Sequence, residues 1–522
     1  MKLKISNFKI QFFKNWSIIL ILIMAAFLRL YRIQDYMTFL GDEGRDALVI
    51  YEILHGNLTL LGPTSSVGGF FLGPIYYYLA APFFLLFNYS PVGSSVMVAL
   101  LSVATVWLIY KIGKEFFNKR VGLIAAFFYS ISPLVITYSH SSWNPNVLPL
   151  SSLLTLYVVY LALQRKSWRW FILIGFLLGI GMQLHYLVIF LCVVVFFYIL
   201  LVRLVEKIKS SLKTLLKEYF LIFIGFIIGW SPFLLFEARH ELRNIKNIFE
   251  FVFKSGETGG NSHFFQTIAD VFFRLFGRLI FSFPQTLDFY RYDKLLISFW
   301  YYAVLIFALF SLVLLVKNVI KTLKTKDFPK YSLLFVWLVL GVGLFGLYKK
   351  NIYDYYFQFM FPLPFFLSAL TMNYLYEKKN ILLKFIPVLI FIFAVIPALF
   401  FNPLRATPNR QFLQMKTIAD FVISKTDNKP YNFALMTGGN SDFAYRYFFT
   451  VWNKKPVEIL NPQLDPKRTS VTDQLLIVCE SLPCKPLGHS LWEIAGFGRA
   501  EIAGEWDVSV VKVYKLQHYR GK

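Results

Sequence analysis

Residues 91–110 read PVGSSVMVALLSVATVWLIY and contain no charged side chain. As an α-helix this stretch would be about 30 Å long, which is the thickness of the hydrocarbon core of a bilayer. Comparable apolar runs recur along the chain from Trp16 to Phe401, and the residues after Phe401 lack them. The pattern predicts a polytopic α-helical membrane protein.

The composition agrees with this prediction. Of 522 residues, 57% are apolar and 16% are charged, and so little polar surface would not cover the core of a soluble protein of this size. We predict eleven transmembrane helices, at residues 16–33, 91–110, 121–139, 147–163, 170–184, 186–203, 219–236, 296–316, 331–348, 355–376 and 382–401.

The basic residues lie between the predicted helices. With the N-terminus in the cytoplasm, the cytoplasmic segments hold 24 Lys and Arg but only 5 Asp and Glu, as the positive-inside rule requires. These segments are residues 1–15, 111–120, 164–169, 203–218, 317–330 and 377–385. The net charge of +24 therefore predicts orientation in a cell membrane and contact with lipid headgroups, rather than binding to nucleic acid.

Residues 72–87 (LGPIYYYLAAPFFLLF) decide the orientation of every later loop. Two crossings within 72–110 would put Lys111 and Lys114 outside, against the rule just used. We therefore predict an interfacial or re-entrant helix here, with the tyrosines at headgroup level. The first span is predicted to remain as an anchor because no small-residue cleavage site follows it. The predicted external segments are then residues 34–90, 140–146, 237–294, 349–354 and the C-terminal part.

The C-terminal part alternates strand-like and helix-like patterns. Strands are predicted at 431–437, 473–480 and 506–516, and a helix at 441–452. We therefore predict a small soluble extracytoplasmic α/β domain over 403–522, after a transmembrane domain over 1–402 whose external loops 34–90 and 237–294 carry the catalytic function. Cys479 and Cys484 in this domain are candidates for a disulfide, a question that the sequence leaves open.

The stretch LGDEGRD at 40–46 places four charges in an otherwise apolar chain. The spacing of the apolar residues that follow predicts an amphipathic helix over 43–55 on the membrane surface, ended by Gly56. Asp42 and Glu43 at its start have two interpretations: they cap the helix and favour its positive end, or they act on a substrate. The apolar positions are Ala47, Ile50, Tyr51 and Leu54.

Other polar residues also fall on the predicted external side. Lys349 and Lys350 violate the positive-inside rule, and Arg239 lies on a second external basic face, so these cations could contact a lipid phosphate or only headgroups. His185 lies between two predicted spans, either in an interfacial turn or facing a polar cavity. The loop 138–146 is either a proline-containing turn or a substrate-contacting loop, and it holds His140, Trp143, Asn144 and Asn146.

Several of these stretches resemble one known family. GDEGRDA (41–47), ILHGN (53–57), GPIYYYLAAP (73–82) and LIYKIGKEFFNKRVGLIAAFFYSISPLVITYS (108–139) together are similar to the first part of GT-C superfamily membrane glycosyltransferases. The resemblance is to the protein O-mannosyltransferase branch (dolichyl-phosphate-mannose protein mannosyltransferases) and to the aminoarabinose-transferase branch. It extends over about residues 1–200, is looser through 353–376, and is only architectural in the C-terminal part.

The resemblance implies an inverting enzyme that moves a sugar from a polyprenyl-phosphate donor to an acceptor protein, lipid or glycan outside the cell. The family's first external loop carries an Asp-Glu pair whose Asp is the catalytic base, which corresponds to Asp42 and Glu43 here. Relatives often carry a second acid where this chain has Asn144 and Asn146, and a Lys-Pro-Pro pattern where it has Gly73-Pro74. These differences bear on which acceptor is used and on whether a metal site is present, and less on the class of reaction.

The chemistry needs a carboxylate to receive the acceptor's proton and cations to hold the departing phosphate. The predicted contacts of the donor phosphate or lipid are Arg45, His185, Arg239, Lys349, Lys350, Tyr353 and Tyr355. No cofactor is predicted, and nothing in the sequence supports a metal site, although a divalent ion would be compatible with the reaction. The alternatives are a transporter or flippase of a lipid-linked sugar and an oligosaccharyltransferase-like enzyme.

Overall fold

The computed structural model of the chain describes residues 16–65, 68–165, 167–205, 212–259 and 263–521. The basic residues predicted to be cytoplasmic within 1–15, and Lys166, Lys207 and Lys209, lie outside this part. The described chain is mostly helical and ends in a small sheet domain. The predicted fold class is therefore confirmed.

The helices are numbered here in chain order. They are α1 (Trp16–Leu30), α2 (Ile33–Tyr36), α3 (Gly41–Leu54), α4 (Ile75–Leu86), α5 (Val92–Phe116), α6 (Lys119–Ile131), α7 (Pro133–His140), α8 (Leu148–Arg165), α9 (Trp168–Leu184), α10 (Val188–Val205), α11 (Leu212–Gly229), α12 (Ser231–Arg239), α13 (Arg243–Phe253), α14 (Phe264–Gly277), α15 (Lys294–Thr322), α16 (Phe328–Gly343), α17 (Pro362–Tyr376), α18 (Ile381–Phe400), α19 (Gln411–Ser424), α20 (Phe443–Val451) and α21 (Trp492–Ala495). Short 3₁₀ helices occur at Asn144–Val147, Thr286–Arg291, Leu344–Leu347, Asp354–Met360 and Pro403–Arg405.

Within the described residues, six helices are long and apolar enough to cross a membrane, or eight if each of two bent pairs is one span. The bent pairs are α6 with α7, at 59°, and α11 with α12, at 69°. The helices α1 and α9 are apolar but shorter. The chain is thus a multi-pass membrane protein, and the number of eleven crossings stays a prediction.

The predicted span 355–376 differs from the structure in its first third. Residues Asp354–Met360 form a 3₁₀ helix, and the α-helix begins only at Pro362. The apolar and aromatic residues of YYFQFMF concealed this break because a buried irregular segment has the same composition as a helix. Asp354 is buried at the start of this segment and pairs with arginine side chains. An apolar transmembrane helix would not provide such partners for a buried carboxylate.

The described residues form two compact units. The membrane unit contains the described residues through Tyr31, then Thr59–Leu79 and Val96–Thr407. The sheet unit contains Arg32–Leu58, Ala80–Ser95 and Pro408–Lys522. The segment 34–90, predicted to be external, is therefore shared between the units, and its acidic stretch belongs to the same unit as the C-terminal residues. The predicted division into two domains at 402 stays a prediction.

In the membrane unit, α9 and α11 pack through paired glycines. Gly175 and Gly179 on α9 and Gly225 and Gly229 on α11 each form a G-x-x-x-G pattern. A Cβ atom at any of the four would overlap backbone atoms of the other helix. Small residues at this spacing let two membrane helices approach closely, where dispersion contacts and backbone contacts hold them together.

The break between α6 and α7 has a local cause. Pro133 has no N–H group, so the carbonyl of Tyr129 loses the donor that a continuous helix would provide. Arg29, a fully buried side chain on α1, donates instead to the carbonyl oxygens of Tyr129 at 3.3 Å and Ser130 at 2.9 Å. Its Nε also donates to Ser102 Oγ at 2.8 Å. This buried arginine therefore stabilises a helix end.

The sheet unit contains strands β1 (Asn432–Met436), β2 (Gln474–Cys479), β3 (Ala500–Val508) and β4 (Val511–His518), in the order β1-β2-β4-β3. β1 and β2 are parallel, joined by a connection that includes α20, and the other pairs are antiparallel. Every residue of β2 is buried, as expected for a central strand covered on both faces. The predicted small α/β domain is thus present.

Two details of this unit go beyond the sequence analysis. The predicted strand 506–516 is the end of β3, a turn, and most of β4, because Ser509 takes a left-handed conformation with φ of 54°. Apolar and polar residues alternate on both sides of the turn, so the sequence pattern predicted one continuous strand. Cys479 and Cys484 form a disulfide, and Cys479, the last residue of β2, has its side chain buried in the core of the sheet unit.

Candidate active site

The acidic stretch forms the first turn of α3, in the sheet unit. The helix begins at Gly41, so Asp42 is its second residue and is not a capping residue. Glu43 fills that role, since its Oε2 accepts a hydrogen bond from the backbone N–H of Leu40 at 3.2 Å and its side chain is buried. The Asp42 side chain is 60% exposed. Asp42 is therefore the carboxylate of this pair that a substrate can reach, and Glu43 holds the helix start.

Arg45 connects two carboxylates on this helix. Its Nη1 donates to Asp42 Oδ1 at 2.9 Å, and its Nε and Nη2 donate to Asp46 Oδ1 at 3.0 and 2.8 Å. Asp46 is almost completely buried, and this burial raises its pKa to about 7 against the opposing effect of Arg45. The guanidinium predicted to contact the donor is thus occupied by neighbouring carboxylates.

Two glycines allow α3 to pack closely on α20. A Cβ atom at Gly41 would overlap Ser441, and one at Gly44 would overlap the backbone of Ala444. The apolar face of α3 is buried in the sheet unit at Ala47, Ile50 and Ile53. The predicted amphipathic helix is therefore present. Its apolar residues are buried against protein, however, and do not form a surface free to lie on lipid.

The membrane unit contains a pocket of ≈ 1240 Å³. It is lined by α14, by the segment 283–289, by the first turns of α15 and by the segment 348–355. Its basic residues outnumber its acidic residues, and tyrosine and phenylalanine rings form much of the remaining wall. The charged residues are Arg274, Arg278, Lys349, Lys350, Asp270 and Asp354. Such a pocket has the charge and the apolar surface that a phosphate carrying a lipid requires.

A network around Asp354 forms one wall of the pocket. Arg274 binds Asp354 through Nε at 2.9 Å and also through Nη2, and it reaches Asp270 at 3.1 Å. Arg278 Nε donates to the other Asp354 oxygen at 3.2 Å, and its Nη1 donates to the carbonyl of Phe283 at 2.7 Å. The second terminal nitrogen of Arg278 has no hydrogen-bond partner among the described residues. A buried carboxylate thus fixes both guanidinium groups at the pocket wall.

This network was not predicted from the sequence. Arg274 lies on α14 and Arg278 follows it by four residues as the C-cap of that helix. Asp270 precedes Arg274 by four residues, and this spacing puts all three on one helix face. That periodicity within the predicted external segment 237–294 was the available signal. Asp354 lies 80 residues away along the chain from Arg274, and nothing local in the sequence links the two.

Four predicted donor contacts line the pocket: Lys349, Lys350, Tyr353 and Tyr355. Lys350 pairs with Glu257 at 2.5 Å, whereas the exposed Lys349 side chain forms no ion pair among the described residues. The rings of Tyr353 and Tyr355 stack with their centroids 5.8 Å apart. The structure therefore brings these four residues together.

His185 and Arg239 do not line the pocket. His185 is buried between α9 and α10, accepts a hydrogen bond from the backbone N–H of Leu187 at 3.2 Å and stacks on Tyr186. Burial lowers its pKa to about 3, so the imidazole is neutral at physiological pH and is not a cation for a phosphate. Arg239 is exposed at the end of α12.

The loop 138–146 is mostly buried. His140 Nε2 lies 3.1 Å from the carbonyl of Leu28, Asn144 donates to the carbonyl of Leu184 at 2.5 Å, and Asn146 donates to the carbonyl of Ser141 at 2.9 Å. These polar groups are therefore used within the protein. Trp143 is partly exposed, and its ring centroid lies 4.5 Å from that of Tyr355, which lines the pocket.

A metal centre would need several His, Cys, Asp or Glu side chains close together. Residues 16–65, 68–165, 167–205, 212–259 and 263–521 contain no group of three or more such side chains that could hold a metal ion.

Residues 72–230 match a protein family described as dolichyl-phosphate-mannose-protein mannosyltransferase. The fold is similar to that of ArnT from Cupriavidus metallidurans, solved with undecaprenyl phosphate, with a TM-score of 0.60 and 11% identity over 96% of this chain and 98% of ArnT. It is also similar to the oligosaccharyltransferase AglB from Archaeoglobus fulgidus, solved with an inhibitory peptide and a dolichol-phosphate, with a TM-score of 0.52 and 13% identity over 89% of this chain and 70% of AglB. No curated protein matches the sequence.

These matches confirm the resemblance to GT-C superfamily glycosyltransferases of the protein mannosyltransferase and ArnT-like kind. At 11% and 13% identity the structural likeness establishes the fold, and the chemistry has to be argued from the residues of this chain.

Proposed function

We propose that this protein is an inverting glycosyltransferase that moves a sugar from a polyprenyl-phosphate donor to an acceptor hydroxyl on the external face of the cell membrane. The observation that carries this proposal is the basic, tyrosine-lined pocket of the membrane unit, in a chain with the GT-C fold. A soluble sugar nucleotide would not need an aromatic pocket in a membrane domain, whereas a phosphate attached to an isoprenoid would.

Asp42 is the proposed general base. The acceptor oxygen bonds to the anomeric carbon while the bond from that carbon to the phosphate oxygen breaks, and the hydroxyl proton passes to Asp42. The bonding electrons leave with polyprenyl phosphate, which is already an anion, so no general acid is needed. The exposure of Asp42 and the capping role of Glu43 support the assignment of the general base to Asp42 rather than to Glu43.

Lys349 is the leading candidate for the donor phosphate, because its exposed ammonium lines the pocket and has no ion-pair partner among the described residues. Lys350 and Arg278 would add positive charge near the donor phosphate, while Arg274 mainly pairs with Asp354 and holds it in place. Tyr353 and Tyr355 would contact the donor through their rings or hydroxyl groups. Arg239 is proposed as a headgroup contact and His185 as a neutral packing residue near the pocket.

The acceptor side is proposed to involve Trp143 more than its neighbours. His140, Asn144 and Asn146 are engaged with backbone carbonyls, so they would act by shaping the loop. Trp143 retains exposed surface, and an indole ring suits contact with a sugar or an aglycone. The proposed acceptor is a protein, a lipid or a glycan.

The proposed orientation follows from the charge distribution. We propose that the N-terminus is cytoplasmic and that Asp42 and the C-terminal residues 403–522 are external. Cysteine substitutions at position 324, predicted to be cytoplasmic, and position 420, predicted to be external, test this with an impermeant thiol reagent in intact cells. Labelling of 324 but not of 420 would reverse the orientation.

The test of the activity uses purified protein in lipid nanodiscs with a panel of polyprenyl-phosphate sugars and hydroxyl-bearing acceptors. We expect release of polyprenyl phosphate that depends on native protein and on an acceptor. Consumption of only pyrophosphate-linked oligosaccharides would favour the oligosaccharyltransferase alternative. Movement of intact donor across a proteoliposome without release of polyprenyl phosphate would favour the flippase, and a protein that neither binds nor consumes any donor would contradict the proposal.

A further inference from the structure

The start of α3 is held by a side chain from a distant part of the same unit. The backbone N–H groups of the first helical turn have no partners within a helix, and Leu40, which precedes α3, has no side-chain oxygen to offer them. Asn440 Oδ1 accepts a hydrogen bond from the N–H of Gly41 at 2.9 Å and another from the N–H of Ser441 at 2.9 Å. Gly41 directly precedes Asp42.

Asn440 is itself fixed by a carboxylate. Its Nδ2 donates to both oxygens of Glu480, at 3.0 and 3.1 Å, and Tyr445 donates its hydroxyl to Glu480 Oε1 at 2.8 Å. An amide group beside a carboxylate must turn its nitrogen toward the carboxylate, so its oxygen faces the helix start.

Glu480 occupies a rigid position. It follows Cys479, the last residue of β2, and its backbone N–H donates to the carbonyl of Met436 at 2.9 Å. The disulfide between Cys479 and Cys484 closes the short segment that carries Glu480. The sheet therefore fixes Glu480, Glu480 fixes Asn440, and Asn440 fixes the first residue of α3.

We propose that Asn440 and Glu480 are positioning residues that set the location of the Asp42 carboxylate. This inference rests on the proposed role of Asp42 as general base. Loss of the Asn440 acceptor would let the first turn of α3 fray, and a catalytic group displaced by about 1 Å costs on the order of 100-fold in rate. Donor affinity should not depend on this relay, because the donor-phosphate residues proposed above belong to the membrane unit.

The charge arrangement of the pair allows a rescue experiment. Asn440→Asp keeps the oxygen that faces Gly41 but sets a second carboxylate against Glu480, so like charges repel. Adding Glu480→Gln restores a hydrogen-bond donor opposite the carboxylate introduced at position 440 while keeping one negative charge in the pair. We expect kcat to fall about 10- to 100-fold in Asn440→Asp and Asn440→Ala and to recover most of the loss in the double variant, with the donor KM within about twofold of wild type throughout.

Asn432→Ala is the matched control. Asn432 is a buried asparagine of the same unit that donates to the carbonyls of Val457 and Ser470, and it lies on β1 rather than at α3. We expect a similar or larger fall in melting temperature with little change in kcat. An equal loss of kcat in Asn432→Ala, or no recovery in the double variant, would overturn the inference by showing a general loss of stability.

Hydrogen exchange separates this inference from the proposed function. In Asn440→Ala the amides of the first turn of α3 should exchange about five to ten times faster, as expected for one lost hydrogen bond, and the double variant should restore their protection. If wild type has no transferase activity, the proposed function fails while the exchange result still decides whether Asn440 holds the helix. If activity depends on Asp42 but neither exchange nor kcat responds to Asn440, the inference alone is wrong.

Discussion

Arg45 stands one helical turn after Asp42, and its Nη1 donates to Asp42 Oδ1 at 2.9 Å. The same guanidinium is held on its other side by the buried Asp46. An arginine bound to a buried carboxylate has few rotamers left, so it can fix the orientation of an exposed carboxylate that would otherwise move freely. Arg45 is therefore expected to orient the Asp42 carboxylate rather than to bind the donor phosphate.

We predict that Arg45→Lys lowers kcat about tenfold and leaves the donor dissociation constant within about twofold of wild type. Lysine keeps the charge but has no planar fork to bind two carboxylates at once, so Asp42 loses its fixed orientation. Steady-state kinetics and equilibrium binding of a polyprenyl-phosphate sugar measure the two effects. A weakened donor affinity with kcat preserved would instead support the contact between Arg45 and the donor phosphate that the sequence predicts.

Asp42→Asn should abolish most of the activity with little effect on folding. Because Asp42 is not the capping residue, the amide replaces only an exposed carboxylate, whereas the proton acceptor of the reaction is lost, a contribution of about 10²- to 10⁴-fold in rate. Melting temperature, donor binding and transfer rate are measured on the same preparation.

Glu52→Gln is the matched control for Asp42→Asn. Glu52 lies on the same helix, is 40% exposed and pairs with Lys455 at 3.7 Å, so the same charge is removed from α3 without touching its first turn. Its transfer rate should be close to that of wild type. Near-normal transfer in Asp42→Asn would reject Asp42 as the base.

The fold was largely predictable because hydropathy and charge report directly on the membrane. The run at 91–110 indeed forms part of the long helix Val92–Phe116, and the strand patterns at 431–437 and 473–480 became β1 and β2. The segment 355–376 was less predictable, because its first residues are apolar enough for a span but are organised by the pairing of Asp354 with Arg274. Such long-range ion pairs leave no periodicity in the sequence.

The candidate site shows the same limit. Asp42 could be singled out because four charges lie close together in an otherwise apolar chain. Lys349 and Lys350 could be singled out because their predicted external position violates the positive-inside rule. Asn440 acts on Gly41 across 399 residues, whereas its sequence context, GGNSD at 438–442, is typical of a turn and the N-cap of the helix that follows it. The roles of Asn440, Glu480 and Arg278 depend on which backbone groups they meet, and only the folded chain determines that.

The two pocket lysines should differ in importance. We predict that Lys349→Ala weakens donor binding more than Lys350→Ala, because Lys350 already pairs with Glu257 while Lys349 lines the pocket with an exposed side chain. Exposed lysines contribute little to stability, so melting temperatures should stay close to wild type. Binding of a polyprenyl phosphate, the product, measures the effect without requiring turnover.

Lys254→Ala is the control for the lysine variants. Lys254 is an exposed residue of the same unit that pairs with Glu250 at 3.7 Å and does not line the pocket. All three variants remove one positive charge, so a purely long-range effect on an anionic lipid would be equal among them. Equal affinities in the three variants would leave Lys349 and Lys350 as headgroup contacts.

Asp46 should make stability depend on pH. Burial raises its pKa from 3.8 to about 7 in the folded protein, so the folded state holds this proton more tightly than the unfolded state. The stabilisation from the bound proton is complete below pH 3.8, decreases as the pH rises, and is lost above about pH 7.

Asp46→Asn removes this titration because an amide carries no charge at either limit. We therefore predict that the melting temperature of Asp46→Asn relative to wild type is higher at about pH 8 than at about pH 5, since only wild type must keep a buried carboxylate charged at the higher pH. Thermal unfolding in the same detergent at the two pH values measures this difference. The same relative melting temperature for Asp46→Asn at both pH values would mean that Arg45 holds Asp46 charged throughout, with the ion pair outweighing the burial.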